Sequence, residues 1–309
     1  MKKQKAIFVV GPTASGKTGL SIELAKRFSG EIISADSMQI YKGIHIASAA
    51  PDSDEMQGIP HHLLEFLDTD IQFSVADYVK AAKERLCDIA SRGKLPIIAG
   101  GTGLYISSLL DNTEFVSLKT DPLLRDRLEK QFDIVGAEEM LRLLAEFDPQ
   151  TAERLHPNDR RRIIRAFEVY NSTGKTITRQ NADSHLYESE IEPLVLGITY
   201  KDRERLYDRR NRRVDIMLEN GLLAEAESAY KKNGGKGGFQ AIGHKELYGY
   251  FEGNSTLQEA VELLKMQTRR YAKRQLTWFR RDERINWLYA DECDVLSIAT
   301  SLTDKFLKE

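Results

Sequence analysis

"VVGPTASGKTGLS", residues 9–21, carries the pattern that decides the fold. Gly11-Pro12-Thr13-Ala14-Ser15-Gly16-Lys17-Thr18 is a complete G-x-x-x-x-G-K-[ST] loop. Its flanks agree. Residues 6–10 (AIFVV) form a short apolar run of the kind a buried parallel strand needs. Leu20, Leu24 and Phe28 then recur at helical spacing, and Gly30 is placed to close that helix. Strand, glycine loop and helix start gather bare backbone N–H groups and a helix N-terminus around an anion. Lys17 adds a point charge, and the Thr18 hydroxyl can hold Mg²⁺ against phosphate oxygens. Such a match arises by chance in roughly one chain of this length in a hundred.

Outward from the loop, strand and helix signals alternate. "EIISAD" (31–36) reads as a second strand and "LPIIAGG" (95–101) as a third. Between them, 74–93 is a helix with Ser74 as N-cap and Asp77 three residues later. From about 114 to 190 strand signals fade. Pro122 can start a helix, and 136–147 and 160–174 form two more. "PLVLGITY" (193–200) returns to strand, 202–230 and 256–281 are helical, and "INWLYA" (285–290) is a last strand. The expected fold is α/β: a P-loop NTPase-like core with a parallel sheet, residues 1–113 and 191–309, plus an inserted, mostly helical domain, 114–190. The glycine-rich stretch at 233–238 reads as a loop.

Composition narrows the function classes. The 309 residues are 41% hydrophobic, ample for a core, and imply about two domains. Neither a signal peptide nor a membrane span is expected, because the N-terminal apolar run meets Gly11-Pro12 after five residues. Two cysteines, Cys87 and Cys293, make no disulfide framework and suit a reducing cytoplasm. The net charge of −2 hides an asymmetry: residues 51–70 hold six acids and no Lys or Arg, whereas 265–284 hold eight bases against two acids. That contrast points to a polyanionic partner.

A P-loop that hydrolyses a nucleotide usually works with an acid closing a neighbouring strand. The strand at 95–99 ends instead in Gly100-Gly101-Thr102-Gly103. Asp36 follows the strand at 31–35, and the carboxyl edge of a parallel sheet is where ligands bind, so Asp36 and the loop should face one site. Its carboxylate can help hold Mg²⁺ or accept a proton from a nucleophile. Arg161, Arg162 and Arg165 share one helix face opposite Ile163, Ile164, Phe167 and Tyr170. In 260–281, Lys265, Arg269, Arg270, Lys273, Arg274, Arg280 and Arg281 form a wide basic face opposite Val261, Leu264, Tyr271, Trp278 and Phe279. Such faces are the electrostatic footprint of nucleic-acid binding, and also of plain solvation. Arg205, Arg209 and Arg213 form a stripe that could neutralise a pyrophosphate or be solvated. His61 and His62, adjacent on a strand, would point to opposite faces, which suits packing or hydrogen bonding better than metal ligation.

Together these stretches resemble the bacterial tRNA dimethylallyltransferases. The likeness rests on "GPTASGKT" (11–18), "SADSMQIY" (34–41), "GIPHHL" (58–63), "AGGTGLY" (99–105), "HPNDRRRIIRAFEV" (156–169), "RRVDIML" (212–218) and "AKRQLTWFR" (272–280), in the family's order. It implies that residues 11–18 hold the pyrophosphate of dimethylallyl diphosphate rather than an ATP tail. The acceptor would be N6 of the adenosine 3′ of the anticodon in tRNA, with Asp36 as general base. Thr13 would meet the bridging region of the leaving group. Lys17, Mg²⁺ on Thr18 and an arginine, Arg209 or Arg213, would neutralise it. Ser37, Met38, Gln39 and Thr102 would line the path of the flipped base. Arg125, Arg161, Arg162, Arg165, His244, Lys245, Lys273, Arg274, Gln275, Thr277, Trp278 and Arg280 would hold the anticodon stem-loop. Eukaryotic members carry a C-terminal zinc finger; no Cys/His set follows "INWLYA" here.

The expected setting is the cytoplasm and the expected state a monomer, though nothing in the sequence decides self-association. An ATP-using small-molecule kinase would explain the P-loop and Asp36 but leave the basic helices idle. An adenylate isopentenyltransferase would share the chemistry without needing the insertion. A non-catalytic nucleic-acid-binding module would leave the pairing of P-loop and Asp36 unexplained.

Overall fold

The computed structural model describes residues 3–113, 121–184, 189–233 and 241–309. In chain order the elements are β1 (Gln4–Val10), α1 (Lys17–Arg27), β2 (Gly30–Ser34), α2 (His45–Ser48), α3 (Ser53–Met56), β3 (His61–His62), α4 (Val75–Ser91), β4 (Leu95–Gly100) and α5 (Gly103–Leu110). Next come α6 (Pro122–Val135), α7 (Ala137–Phe147), α8 (Pro149–Arg154), α9 (Arg160–Thr173) and α10 (Ile177–Ser184). The chain continues with β5 (Ile191–Thr199), α11 (Arg203–Glu219), α12 (Leu222–Asn233), α13 (Tyr248–Phe251), α14 (Leu257–Phe279), β6 (Ile285–Tyr289) and α15 (Val295–Lys308). Residues 234–238 of the glycine-rich stretch lie outside the described residues, as do 114–120 and 185–188 at the ends of the inserted segment.

Contacts divide the chain into two compact units, Met1–Leu110 with Glu190–Glu309, and Asp111–Ser189. The first is built on one six-stranded sheet in the order β3-β2-β4-β1-β5-β6, with every pairing parallel. Its central strands are apolar on both faces, as a sheet covered on both sides requires. Ile7, Val9, Ile97, Leu196 and Ile198 pack against Leu20 and Leu24 of α1, with Leu302 and Phe306 of α15 closing the layer. The second unit packs Leu128, Phe132, Met140, Leu144, Ile163, Ile164 and Phe167 around a separate core. Among the described residues no helix is long and apolar enough to cross a membrane.

The expected local signals hold at several ends. Ser74 and Asp77 form a reciprocal capping box on α4. Pro122 opens α6 behind an Asp121 cap. Two expectations fail. The α1 helix ends at Arg27, with Ser29 at φ 51°, and Gly30 already belongs to β2. The helix read over 202–230 breaks at Asn220-Gly221 into α11 and α12. That break allows the apolar residues of both helices, Val214 and Leu222 among them, to share one cluster with Leu264 of α14.

Glu31, on β2 and 6% exposed, is tied to Arg92 Nη2 (2.8 Å) and to His62 Nε2 (2.8 Å) on β3. The Arg92 bond, aided by His62, holds its carboxyl down at about 2. Because the folded value lies below the ordinary 4.5, this stabilisation is present above pH 4.5 and is lost as pH falls toward 2. Glu31→Gln is expected to lower stability by about 2 kcal/mol at neutral pH, the scale of charge-assisted hydrogen bonds. Urea titrations across pH should show the gap closing in the acid window.

Candidate active site

The loop at 11–18 leaves β1 and enters α1 at Lys17. Gly11, at φ 145°, lies so close to β5 that an added Cβ would stand 2.3 Å from the Ile198 carbonyl oxygen. Ala14 holds a left-handed conformation (φ 62°), a strain of the order of 1–3 kcal/mol that surrounding contacts must outweigh. Ser15 is buried, and its hydroxyl has no hydrogen-bond partner among the described residues. Lys17 Nζ folds back to donate to the Pro12 carbonyl (2.8 Å). Thr18 is exposed at the first turn of α1.

Residues 13–18 form one wall of a cavity of about 820 Å³. Asp36, Gln39, Gly100, Arg209, Arg212, Arg213 and Gln275 form the others, with Ile32, Ala99, Leu64, Ile216 and Met217 as apolar lining. Asp36 sits just past β2, its Oδ1 accepting the Met38 N–H at 2.9 Å. Burial pushes its carboxyl above the ordinary carboxylate value; the Met38 and Gln39 N–H groups, Lys17 and Arg213 pull the other way. Burial likewise brings Lys17 down to about 8, with Asp36 opposing and Arg213 and Arg210 adding to the fall. Arg213 is lowered by the same desolvation. Arg209 Nε donates to the Ala14 carbonyl (3.3 Å), and its guanidinium lies over the Tyr200 ring (5.3 Å). Arg205, the third of the expected stripe, is exposed and reaches Asp202 instead.

The strand-end loops are fastened to each other. The Thr13 N–H donates to Gln275 Oε1 (2.9 Å), and Gln275 Nε2 donates to the Gly101 carbonyl (2.9 Å). The Ser37 N–H donates to Thr102 Oγ1 (2.9 Å). Tyr271 lies one turn before Gln275 on α14; burial pushes its hydroxyl well above the ordinary tyrosine value, with Thr102 and Gln275 pulling the other way. Sequence reasoning put Tyr271 on the apolar face rather than in the site; its i, i+4 spacing with Gln275 was the available signal. It also missed Arg212 as cavity lining. Gln39 spends its amide internally, accepting from Ser34 Oγ (2.9 Å) and donating to the Ala49 carbonyl (3.0 Å).

The residues expected to meet RNA fall into three groups. Arg161, Arg162 and Arg165 are exposed on α9, opposite buried Ile163, Ile164 and Phe167. Tyr170, grouped with the apolar face, is exposed at 38% and stacks on Phe147. On α14, Lys273, Arg274, Thr277 and Trp278 are exposed, as are Arg280 just past its end and Lys245 after α12. Trp278 covers Gly103, where an added Cβ would stand 2.3 Å from the indole. Arg125 is engaged with Glu129 (3.3 Å) and Glu168 (3.2 Å). Two expectations need correction. His244 is fully buried, its Nε2 bonded to Glu225 Oε1 (2.9 Å), so the imidazole presents nothing to a ligand. The basic face of α14 is narrower than its helical wheel implied. Lys265 is paired with Asp215 (2.7 Å) and Arg269 with Asn211 (2.7 Å), both on α11.

An IPP transferase family profile matches residues 39–282. The chain belongs to the IPP transferase family. It is 46% identical to a tRNA dimethylallyltransferase of Caldanaerobacter subterraneus over 93% of this chain and 92% of that one. It is 48% identical to the tRNA dimethylallyltransferase of Bacillus subtilis over 92% and 90%. Its fold matches a tRNA isopentenylpyrophosphate transferase of Bacillus halodurans (TM-score 0.73, 40% identity, 99% and 98% covered). It also matches a eukaryotic dimethylallyltransferase acting on tRNA (TM-score 0.84, 31% identity, 99% and 80% covered). The core is therefore P-loop NTPase-like, as this family's phosphate loop and parallel sheet require.

Asp36 has a folded-state pKa above its ordinary 3.8, so its ionisation weakens the fold as pH rises through that raised value. Asp36→Asn keeps the oxygen that accepts the Met38 N–H and removes the charge. Its melting temperature should exceed that of the wild type at pH 7, with the two converging below about pH 4. Differential scanning calorimetry at both pH values reads this directly.

Proposed function

We propose that this IPP transferase is a tRNA dimethylallyltransferase. It moves the dimethylallyl group from dimethylallyl diphosphate to N6 of the adenosine 3′ of the anticodon and releases diphosphate. One observation carries the reading: a phosphate loop and the Asp36 carboxylate share a cavity, while β4 ends in Gly100-Gly101 and offers no acid to aim water at a γ-phosphate.

In the reaction N6 attacks the first carbon of the prenyl group and the bond from that carbon to diphosphate breaks. The amine is a weak nucleophile because its lone pair is delocalised into the adenine ring. Asp36 takes the proton that N6 loses as the new bond forms. The backbone N–H groups of 13–18, with Lys17, Arg209 and Arg213, take up the charge on the departing diphosphate. Thr13 stands at its bridging region. Burial serves both ends: it keeps water from the developing charges and leaves Asp36 more basic than a solvated carboxylate.

The residues present suit Mg²⁺. Thr18 offers an exposed hydroxyl at the cavity wall, and the described residues hold no dedicated cage of His, Cys, Asp or Glu. An ion that keeps its waters and arrives on substrate phosphates needs no more. When bound, it would neutralise diphosphate oxygens. The target base must leave the anticodon-loop stack, an extrusion costing a few kcal/mol. Ser37, Met38 and Thr102 lie beside Asp36, where that base would enter. Lys245, Lys273, Arg274, Thr277, Trp278 and Arg280 in the first unit, and Arg125, Arg161, Arg162 and Arg165 in the second, would hold the stem-loop. The protein would act as a monomer in the cytoplasm.

Labelled dimethylallyl diphosphate offered with tRNA, AMP or no acceptor should label tRNA alone. Label in AMP would favour an adenylate isopentenyltransferase, and turnover of ATP to ADP a kinase. Asp36→Ala should lower single-turnover transfer by about 10²–10⁴-fold with near-normal tRNA affinity. A variant that keeps most of its rate would remove Asp36 from the mechanism.

Arg162 and Arg165 lean on Asp159 (3.7 Å) and Glu168 (3.3 Å) but stay largely open to solvent. Changing both to Ala should weaken tRNA binding and flatten the log–log salt slope by roughly one to two units. Dissociation constants measured across salt decide it; an unchanged slope would mark this face as merely solvated.

A further inference from the structure

Helix α11 has two working sides. Arg209 and Arg213 line the cavity, while Leu206, Arg210 and Val214 form the buried row, at 2%, 1% and 1% exposure. The middle of that row is out of character. Arg210 is among the largest side chains the protein buries completely. Its Nε and Nη2 have no hydrogen-bond partner among the described residues. The Tyr207 ring lies 5.8 Å from the guanidinium carbon. A buried guanidinium normally sits in a bidentate carboxylate or a network of carbonyls.

The guanidinium remains charged at neutral pH, since burial brings it down only to about 10. Its charge is felt by Lys17, where it acts in the same direction as Arg213. The loop end of the cavity therefore lies in the field of Lys17, Arg210 and Arg213, and since the lining sets Lys17, Arg209, Arg212 and Arg213 against Asp36, Asp52, Glu55 and Asp208, the buried Arg210 is the cation in excess. The unliganded protein thus holds more positive than negative charge around an anion loop whose own N–H groups add to the excess.

We propose that Arg210 is a buried, non-contacting cation whose counter-ion is the donor's diphosphate. It is left uncompensated in the free enzyme and compensated when the loop fills. Screening by water is weak at such a site, so a charge need not touch the ligand to raise its affinity. The free protein is correspondingly less stable than an uncharged residue at 210 would make it. Arg210 is in this sense a positioning residue for charge, acting beside Arg209 and Arg213. The inference rests on the reading that residues 11–18 hold diphosphate.

The test is the full-length Arg210→Met protein, with Arg210→Leu as a second uncharged variant, probed with inorganic pyrophosphate. Both variants should melt above the wild type without ligand. Both should bind pyrophosphate roughly ten-fold or more weakly, as removal of one unscreened unit charge implies. Saturating pyrophosphate should then raise their melting temperature less than it raises that of the wild type. In steady-state transfer, KM for the donor should rise by a larger factor than kcat falls. Higher melting temperature with unchanged pyrophosphate affinity would overturn the proposal, since the charge would then be uncoupled from the loop. Lower melting temperature in both variants would also overturn it, by showing that Arg210 is compensated without ligand. A wild type that binds no pyrophosphate, or binds it equally well as Lys17→Ala, would instead overturn the reading of the loop itself.

Discussion

The buried amide of Gln275 holds the site together. A parallel sheet delivers its ligand-binding residues on loops at the carboxyl ends of strands, and nothing in the ladder fixes one loop against the next. Gln275, 5% exposed, joins the loop after β1 at the Thr13 N–H to the loop after β4 at the Gly101 carbonyl. Thr102, the next residue, receives the Ser37 N–H and so brings in the loop after β2, which carries Asp36. The donor cradle and the base are thereby set against each other through a side chain 262 residues away from Thr13. Transfer between a leaving group and a nucleophile tolerates little misplacement, so this fastening bears on rate more than on stability.

The price is an unbalanced charge distribution. Asp36 is pushed toward its neutral form and Lys17 toward its own, each by burial, and each restores the other only in part. Arg209 and Arg213 face the cavity without a carboxylate in hydrogen-bond contact among the described residues, and Arg210 lies behind them. Two buried carboxylates away from the cavity are closely paired, although Glu246 keeps one buried oxygen without a hydrogen-bond partner among the described residues. Glu31 has Arg92 and His62, and Glu225 has His244 and two backbone N–H groups. The contrast marks the loop end of the cavity as a place organised for an anion it does not itself contain.

What was legible in the sequence was whatever local backbone geometry and periodicity dictate. The phosphate loop, the apolar strands, the Ser74 cap and the two faces of α9 follow from spacing, because each is decided within a few residues of itself. What was not legible depended on partners far along the chain. A helical wheel cannot tell that Lys265 and Arg269 are taken by Asp215 and Asn211 while Lys273 and Arg274 are not. Nor can it show that Arg210 faces the core, since a stretch with six arginines reads as polar all round. His244 sits in a run bordered by glycines that resembles a surface turn, and only the tertiary fold buries it against Glu225. The resemblance gave Gln275 as an RNA contact; in the structure its amide is spent inward on Thr13 and Gly101.

Helix α14 gathers these threads. At 23 residues it spans about 35 Å, long enough to serve different partners along its length. Its middle is tied to α11, Lys265 by an ion pair to Asp215 and Arg269 by a hydrogen bond to the neutral Asn211 amide. Its second half turns Gln275 and Tyr271 toward the strand-end loops and Lys273 and Arg274 toward solvent. The exposed cations Arg270, Lys273 and Arg274 remain for a polyanion, and they stand within two turns of the side chains that align base and donor. A phosphate backbone gripped there would meet the protein beside the cavity. One rigid helix then sets both where the acceptor is held and how the catalytic loops are spaced, so neither distance can drift without the other.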